Sequence, residues 1–219
     1  MCGRFAFFSL DPEAFSRFGI DEVPSGLEPR YNIAPSQKAA VIVAVPGREL
    51  RLLRWGLVPR WAKDPRIGNR LINARVETLA GKPAFRDAFA RRRCLVLADG
   101  FYEWKKSNGS KQPYFISLSS GRPFAMAGLW ERWEKGTEPL ETFTIVTADA
   151  SGQLAEIHGR MPLVLQGGGA DLWLAQGSLD AERLDRLVEE SRGLNWVFHP
   201  VGTAVNNPAN DGPELLRAP

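Results

Sequence analysis

Apolar and polar positions change period several times along the chain, and each change marks an element. Residues 39–45 are an unbroken apolar run, while 49–55 intersperse leucine and tryptophan with glutamate and arginine. Pro46-Gly47 separates the two, which predicts a β-hairpin with a slightly long loop. Apolar runs of strand length recur at 94–98, 114–118, 124–130, 143–147 and 163–165, most of them bounded by Gly, Pro, Asn or Ser. Asp11-Pro12-Glu13 has the composition of a helix start, with Asp11 as N-cap, Pro12 at the first helical position and Gly19 placed to end the helix. Further helices are predicted at 84–90 after Pro83, at 170–176 and at 180–191, followed by a last strand at 196–199. The Asn- and Pro-rich chain after Asn206 reads as irregular. Strands cluster instead of alternating with helices, so the expected class is α+β with a mainly antiparallel sheet core. No repeat, low-complexity block or long linker divides the chain, and 1–219 is expected to be one domain.

Composition agrees with this and removes other classes. A chain of 219 residues with 44% hydrophobic and 24% charged positions can bury a large core without a disulfide or metal staple. Such balance excludes disordered, collagen-like and coiled-coil chains. The run at 39–45 is far below the roughly 18 residues of a membrane helix. The apolar stretch 5–10 is too short for a secretory leader and stops at Asp11-Pro12. Two cysteines 92 positions apart form neither a disulfide framework nor a zinc half-site, and no metal or cofactor is expected. A cytoplasmic protein without a membrane partner is the expectation.

Charge adds a partner class. The net charge of +3 hides a segment, 51–93, with twelve basic and three acidic side chains, whereas 113–219 carries eight and fourteen. Most of the basic residues in 51–93 are arginines, and Trp55 and Trp61 lie among them. Guanidinium groups fit phosphate as a planar fork and indoles stack on bases, so single-stranded nucleic acid is a candidate partner. A solvated basic face paired with carboxylates elsewhere is the alternative.

Cys2 is the most informative residue for chemistry. Removal of Met1 leaves an α-amine and a thiol on one residue, and an α-amine of pKa roughly 7.7–8.0 is partly neutral near pH 7.5. A 1,2-aminothiol condenses with an aldehyde to an imine, which the thiol closes to a five-membered thiazolidine. Gly3-Arg4-Phe5 follows directly and supplies a tight backbone, a cation and an apolar anchor. His158, one of two histidines, sits in a Gly/Pro-containing loop, while His199 before Pro200 reads as structural. Glu103 lies among Phe101, Tyr102 and Trp104, where burial would raise its pKa towards neutrality; its alternative is a sheet-surface glutamate. Asn73 and Arg75, two apart, share a face if extended.

Together these stretches closely resemble the SOS-response-associated peptidase family, the SRAP domain. The residues that carry the resemblance are Met1-Cys2-Gly3-Arg4-Phe5, Tyr31-Asn32-Ile33-Ala34-Pro35, Trp55-Gly56-Leu57-Val58-Pro59 and Asn73-Ala74-Arg75-Val76-Glu77-Thr78. To these are added the block from Asp99 to Trp104, the stretch from Ile157 to Pro162, His199-Pro200-Val201 and Val205-Asn206. Leu97 departs from the pattern, where many members have proline. The resemblance implies a barrel-like antiparallel core flanked by short helices, and a monomer that binds single-stranded DNA at abasic sites near junctions with duplex. It further implies that Cys2 is the covalent nucleophile, that Asn73 positions the amine and the adduct, and that Glu103 and His158 move protons. Arg4, Arg75 and Arg160 would then hold phosphates beside Gly3, with Pro35, Trp61, Trp104 and Thr147 along the DNA path. Autocatalytic or aminopeptidase-assisted removal of Met1, lyase chemistry through an imine and association with the nucleoid when DNA is bound complete what the resemblance implies.

Two other readings stay open from the residues alone. An N-terminal-nucleophile glutamine amidohydrolase also begins Met-Cys-Gly, with the thiol attacking an amide and the α-amine as base. A non-catalytic single-strand-binding module would leave Cys2 and Glu103 incidental. A glutaminase assay and a test for a covalent DNA adduct separate the three.

Overall fold

The computed structural model describes every residue except Met1, Glu22, Pro24, Val45 and Asn108. Its centre is a ring of five strands. β3 (Lys38–Ala44) pairs antiparallel with β4 (Arg48–Trp55) and β6 (Arg93–Ala98), and β6 pairs with β9 (Phe124–Trp133). β9 then pairs antiparallel with β10 (Leu140–Asp149), and β10 returns to β4 in parallel, closing the barrel. Closure explains the unbroken apolar runs. All six residues of β6 are buried, since one side fills the barrel and the other is covered. At Gly128 on β9 a Cβ would stand 2.9 Å from both Cys94 Sγ and Val96 Cγ2, so the strand approaches β6 more closely than any side chain permits.

A second sheet lies beside the barrel. Its order is β13 (Trp196–Pro200), β8 (Ser110–Leu118), β7 (Gly100–Ser107), β1 (Phe5–Phe7) and β2 (Arg30–Ile33), each pair antiparallel. The helices are α1 (Pro12–Ser16), α2 (Arg86–Arg91), α3 (Gly168–Leu174) and α4 (Ala181–Arg192). α2 and α3 pack on β6 and β9. Most of the buried apolar side chains of barrel and second sheet form one continuous cluster that includes Cys2.

The architecture is the α+β, barrel-like antiparallel fold expected from the sequence, with adjustments. The hairpin at Pro46-Gly47 is present, although Val45, the predicted end of its first strand, lies outside the described residues. Asp11 caps α1 by accepting Ala14 N–H, and Asp180 caps α4 by accepting Arg183 N–H. The apolar pattern did not announce β1, β2 or β7, nor the short strands β5 (Asn73–Arg75) and β11 (Arg160–Pro162), whereas β12 (Val164–Leu165) falls on the predicted run at 163–165. The three- and four-residue strands among them hold too little periodicity to read, and they exist because a partner edge is available. The chain after Asn206, expected to be irregular, forms a helical turn at Pro213–Leu216 and is bound tightly: Leu215 is buried and Asn32 donates to the Val205, Asn207 and Asn210 carbonyls.

Candidate functional site

β10 organises the site. On one edge it carries β5 in parallel, with Ile145 opposite Asn73 and Thr147 opposite Arg75; on the other it carries β11, with Asp149 opposite Arg160. Trp55 fixes the start of β5, because its indole N–H donates to the Ile72 carbonyl at 2.8 Å. From the second sheet, β1 and β7 bring in Cys2, Glu103 and Trp104. Asp99 locks β1 in register: its carboxylate accepts Phe8 N–H at 2.6 Å, Ser9 N–H at 2.9 Å and the Ser9 hydroxyl at 2.5 Å. Immediately after it, Gly100 is required by space, since a Cβ there would lie 2.3 Å from the Phe115 ring.

Cys2 is wholly buried, and the Asn73 side-chain amide donates to its carbonyl at 2.7 Å. Burial pushes the Cys2 thiol far up, and the Glu103 carboxylate pushes in the same direction. The sulfur is therefore held as a neutral thiol, so an attack through it needs a base. Glu103, 4% exposed, lies with Oε1 3.9 Å from His158 Nδ1. Burial raises the Glu103 carboxyl above the usual carboxylate range, against the opposing pull of His158. His158 Nδ1 accepts the Arg160 backbone N–H at 3.0 Å. The same nitrogen lies 3.2 Å from the Arg160 carbonyl, so the ring tautomer decides which of the two backbone groups it bonds.

The arginines named from sequence take different places. Arg75 is exposed and forms no ion pair among the described residues. Arg160 is mostly buried and engaged: its guanidinium meets Glu77 through two parallel bonds of 2.8 and 3.0 Å, Asp149 at 2.6 Å and the Thr147 carbonyl at 2.6 Å. Arg4 donates to Asn32 Oδ1 at 2.8 Å and the Val205 carbonyl at 2.6 Å, and stacks 6.0 Å from the Trp104 ring centre. Trp104 in turn donates to Asn206 Oδ1 at 2.8 Å. Thr147 is fully buried between β5 and β11, and Gly3 is half-buried next to Cys2. Pro35 lies half-buried in the turn after β2, and Trp61 is an exposed indole that donates to the Pro83 carbonyl at 3.3 Å. Sequence reading missed Glu77, Asp149 and Asn32 as partners of the site arginines. Only the first and third stood in quoted motifs, and nothing local pairs any of them with an arginine.

Among the described residues no group of three or more His, Cys, Asp or Glu could hold a metal ion, and no helix is long and apolar enough to cross a membrane. What the arrangement can do is proton transfer beside a buried N-terminal thiol. The buried carboxyl also carries a stability signature. A carboxyl with a raised folded-state pKa contributes stability below its unfolded value of roughly 4.3 that is lost as pH rises through the folded value. Glu103→Gln removes that loss. Its melting temperature is expected to exceed that of the native chain at pH 8, with the gap closing towards pH 4. A gap that widens on acidification would contradict the burial argument.

A sequence model described as SOS response associated peptidase (SRAP) matches residues 1–208. The abasic site processing protein YoqW of Bacillus subtilis is 41% identical over 224 residues, covering 100% of both chains. The abasic site processing protein YedK of Escherichia coli is 37% identical over 226 residues, covering 99% of each. The abasic site processing protein HMCES of Gallus gallus is 36% identical, over 86% of this chain and 66% of its own. Among solved structures, a protein from Bacteroides thetaiotaomicron superposes with a TM-score of 0.85 at 24% identity over 100% of both chains. A phage-related protein from Bordetella bronchiseptica gives 0.66 at 30% identity, covering 91% of this chain and 94% of that one.

Proposed function

Because the chain belongs to the SOS response associated peptidase family, we propose that it processes abasic sites in DNA, with Cys2 as the residue that reacts. The observation that carries this reading is the convergence, on a buried second residue, of an amide at its carbonyl and a Glu103–His158 pair 3.9 Å apart. The names of the relatives, abasic site processing proteins, support the substrate class.

The chemistry follows from the residues. Hydrolysis of the Met1–Cys2 bond frees the Cys2 amine. The abasic sugar rests mostly as a closed hemiacetal, so opening needs a proton on the ring oxygen and loss of one from the anomeric hydroxyl. His158 serves as the proton donor, and Glu103 as the acceptor of protons. The free amine adds to the aldehyde and loses water to give an imine. The thiol then adds across the C=N bond, its sulfur bonding the former aldehyde carbon and its proton passing by way of Glu103 to the imine nitrogen. Asn73 holds the Cys2 backbone while this occurs. A neutral thiol suits this order, since the amine acts first and sulfur is needed only for ring closure. The same imine permits lyase chemistry. The finer assignments in this reading are single-stranded DNA near a duplex junction, a monomer, and Arg75 as a phosphate contact.

The test is incubation with a single-stranded abasic oligonucleotide followed by denaturing electrophoresis. A covalent band is expected from the native chain. General acid–base groups contribute roughly 10²–10⁴-fold, so Glu103→Gln and His158→Ala are each expected to slow band formation by about that factor without abolishing it. A native chain that binds but leaves no covalent band would support the non-catalytic reading, and glutaminase turnover the amidohydrolase one.

A further inference from the structure

Beside the Glu103–His158 pair lies an open cavity of about 320 Å³ whose remaining lining is Trp104, Lys106 and Lys111. None of the steps above uses the two lysines. Lys106 on β7 stands directly opposite Lys111 on β8 in the antiparallel register, and both are exposed. Like charges placed opposite one another on paired strands repel. Among the described residues neither lysine side chain has a carboxylate or hydrogen-bond partner to relieve it. Their neighbour Lys105 differs, lying 3.8 Å from Glu156 in the turn that precedes His158.

Alternation along β7 puts Trp104 and Lys106 on the same face, about 6.6 Å apart at the usual strand rise. Lys111 joins them across the strand pair. The face therefore presents an indole plate next to the reacting groups and then two cations, all opening on one cavity. Stacked base followed by backbone phosphate is the pattern that single strands offer to such a surface. An anion between the two ammonium groups would turn their repulsion into attraction.

We infer that Lys106 and Lys111 form a phosphate clamp for the strand that leaves the reactive site past Trp104. The inference rests on the proposed single-stranded DNA reading and adds a second backbone contact to it. Because the clamp sits to one side of the site, its effect depends on which way the strand extends.

The experiment measures equilibrium binding by fluorescence anisotropy, over a range of salt, of oligonucleotides bearing a tetrahydrofuran abasic analogue, which has no aldehyde and cannot cross-link. The double variant Lys106→Gln/Lys111→Gln keeps side-chain length and removes both charges. Its slope of log affinity against log salt is expected to flatten by roughly 0.7 per phosphate lost. The loss is expected with strands extending to one side of the analogue and not with those extending only to the other. Arg183→Gln/Arg186→Gln on α4 removes two charges elsewhere and is expected to leave the slope unchanged. A native slope for the lysine variant, or an equal loss on both sides, overturns the clamp. If Arg75→Ala flattens the slope while the lysine variant does not, the clamp alone fails. If the native chain does not bind the analogue strand at all, the single-strand reading fails and the clamp with it.

Discussion

A chain that keeps Met1, or carries an acetyl group on Cys2, is expected to bind abasic single strands and form no stable covalent band. An amide nitrogen has its lone pair delocalised into the carbonyl and does not add to an aldehyde. The thiol alone yields only a hemithioacetal, which reverses readily. Cys2→Ala is expected to lose the thiazolidine as well, but for a different reason: its free amine can still form an imine, which borohydride reduction would trap. The pair of variants thus separates the two nucleophiles of one residue. The check is denaturing electrophoresis with and without borohydride. Native-level cross-linking by the Met1-retaining chain would remove the aminothiol from the mechanism. Burial of the thiol makes the effect large, because a neutral, enclosed sulfur has no alternative route to a stable adduct.

The second large effect is expected at Asn32, which no step of the chemistry requires. Its side chain is fully buried and joins the beginning of the chain to the end. Oδ1 accepts from Arg4 at 2.8 Å, and Nδ2 donates to the carbonyls of Val205, Asn207 and Asn210 at 3.2, 3.1 and 2.7 Å. Asp211 completes the seam by accepting Tyr31 and Asn32 N–H and pairing with Arg30. Asn32→Ala strands several buried polar groups at once. Each buried group left unsatisfied costs about 1–3 kcal/mol, so a loss of roughly 3 kcal/mol is expected overall. For a chain of this size that corresponds to a fall in Tm of roughly 6–12 °C. Cross-linking is expected to weaken too, because Arg4 loses one of its two oxygen partners next to Cys2. Thermal melting and the covalent-band assay give the two readouts. An unchanged Tm would mean that water replaces the amide at no cost.

The sequence determined those parts of this protein whose causes are local. The β3–β4 hairpin follows from two apolar stretches around Pro46-Gly47, and α4 follows from an aspartate cap before an amphipathic run. The α+β class follows from strands that cluster. Cys2, Asn73, Glu103 and His158 could be named because their chemistry and motifs are written in the residues themselves. Tertiary structure alone decided what depends on register between distant strands. Barrel closure needs β10 to pair with β9 on one edge and β4 on the other, and no periodicity encodes a partner. The 3.9 Å approach of Glu103 to His158 spans 55 positions, and the bond from Asn73 to Cys2 spans 71. The resemblance implied a phosphate contact for Arg160, and only the pairing of β10 with β11 shows that its guanidinium lies against Asp149 and Glu77. The terminal segment read as irregular, yet it holds a helical turn at Pro213–Leu216, and its start, held by Asn32, backs Arg4 and Trp104. Periodicity reports which face of an element is buried; it cannot report which other element buries it, because that choice is settled by packing and hydrogen bonding across the whole fold.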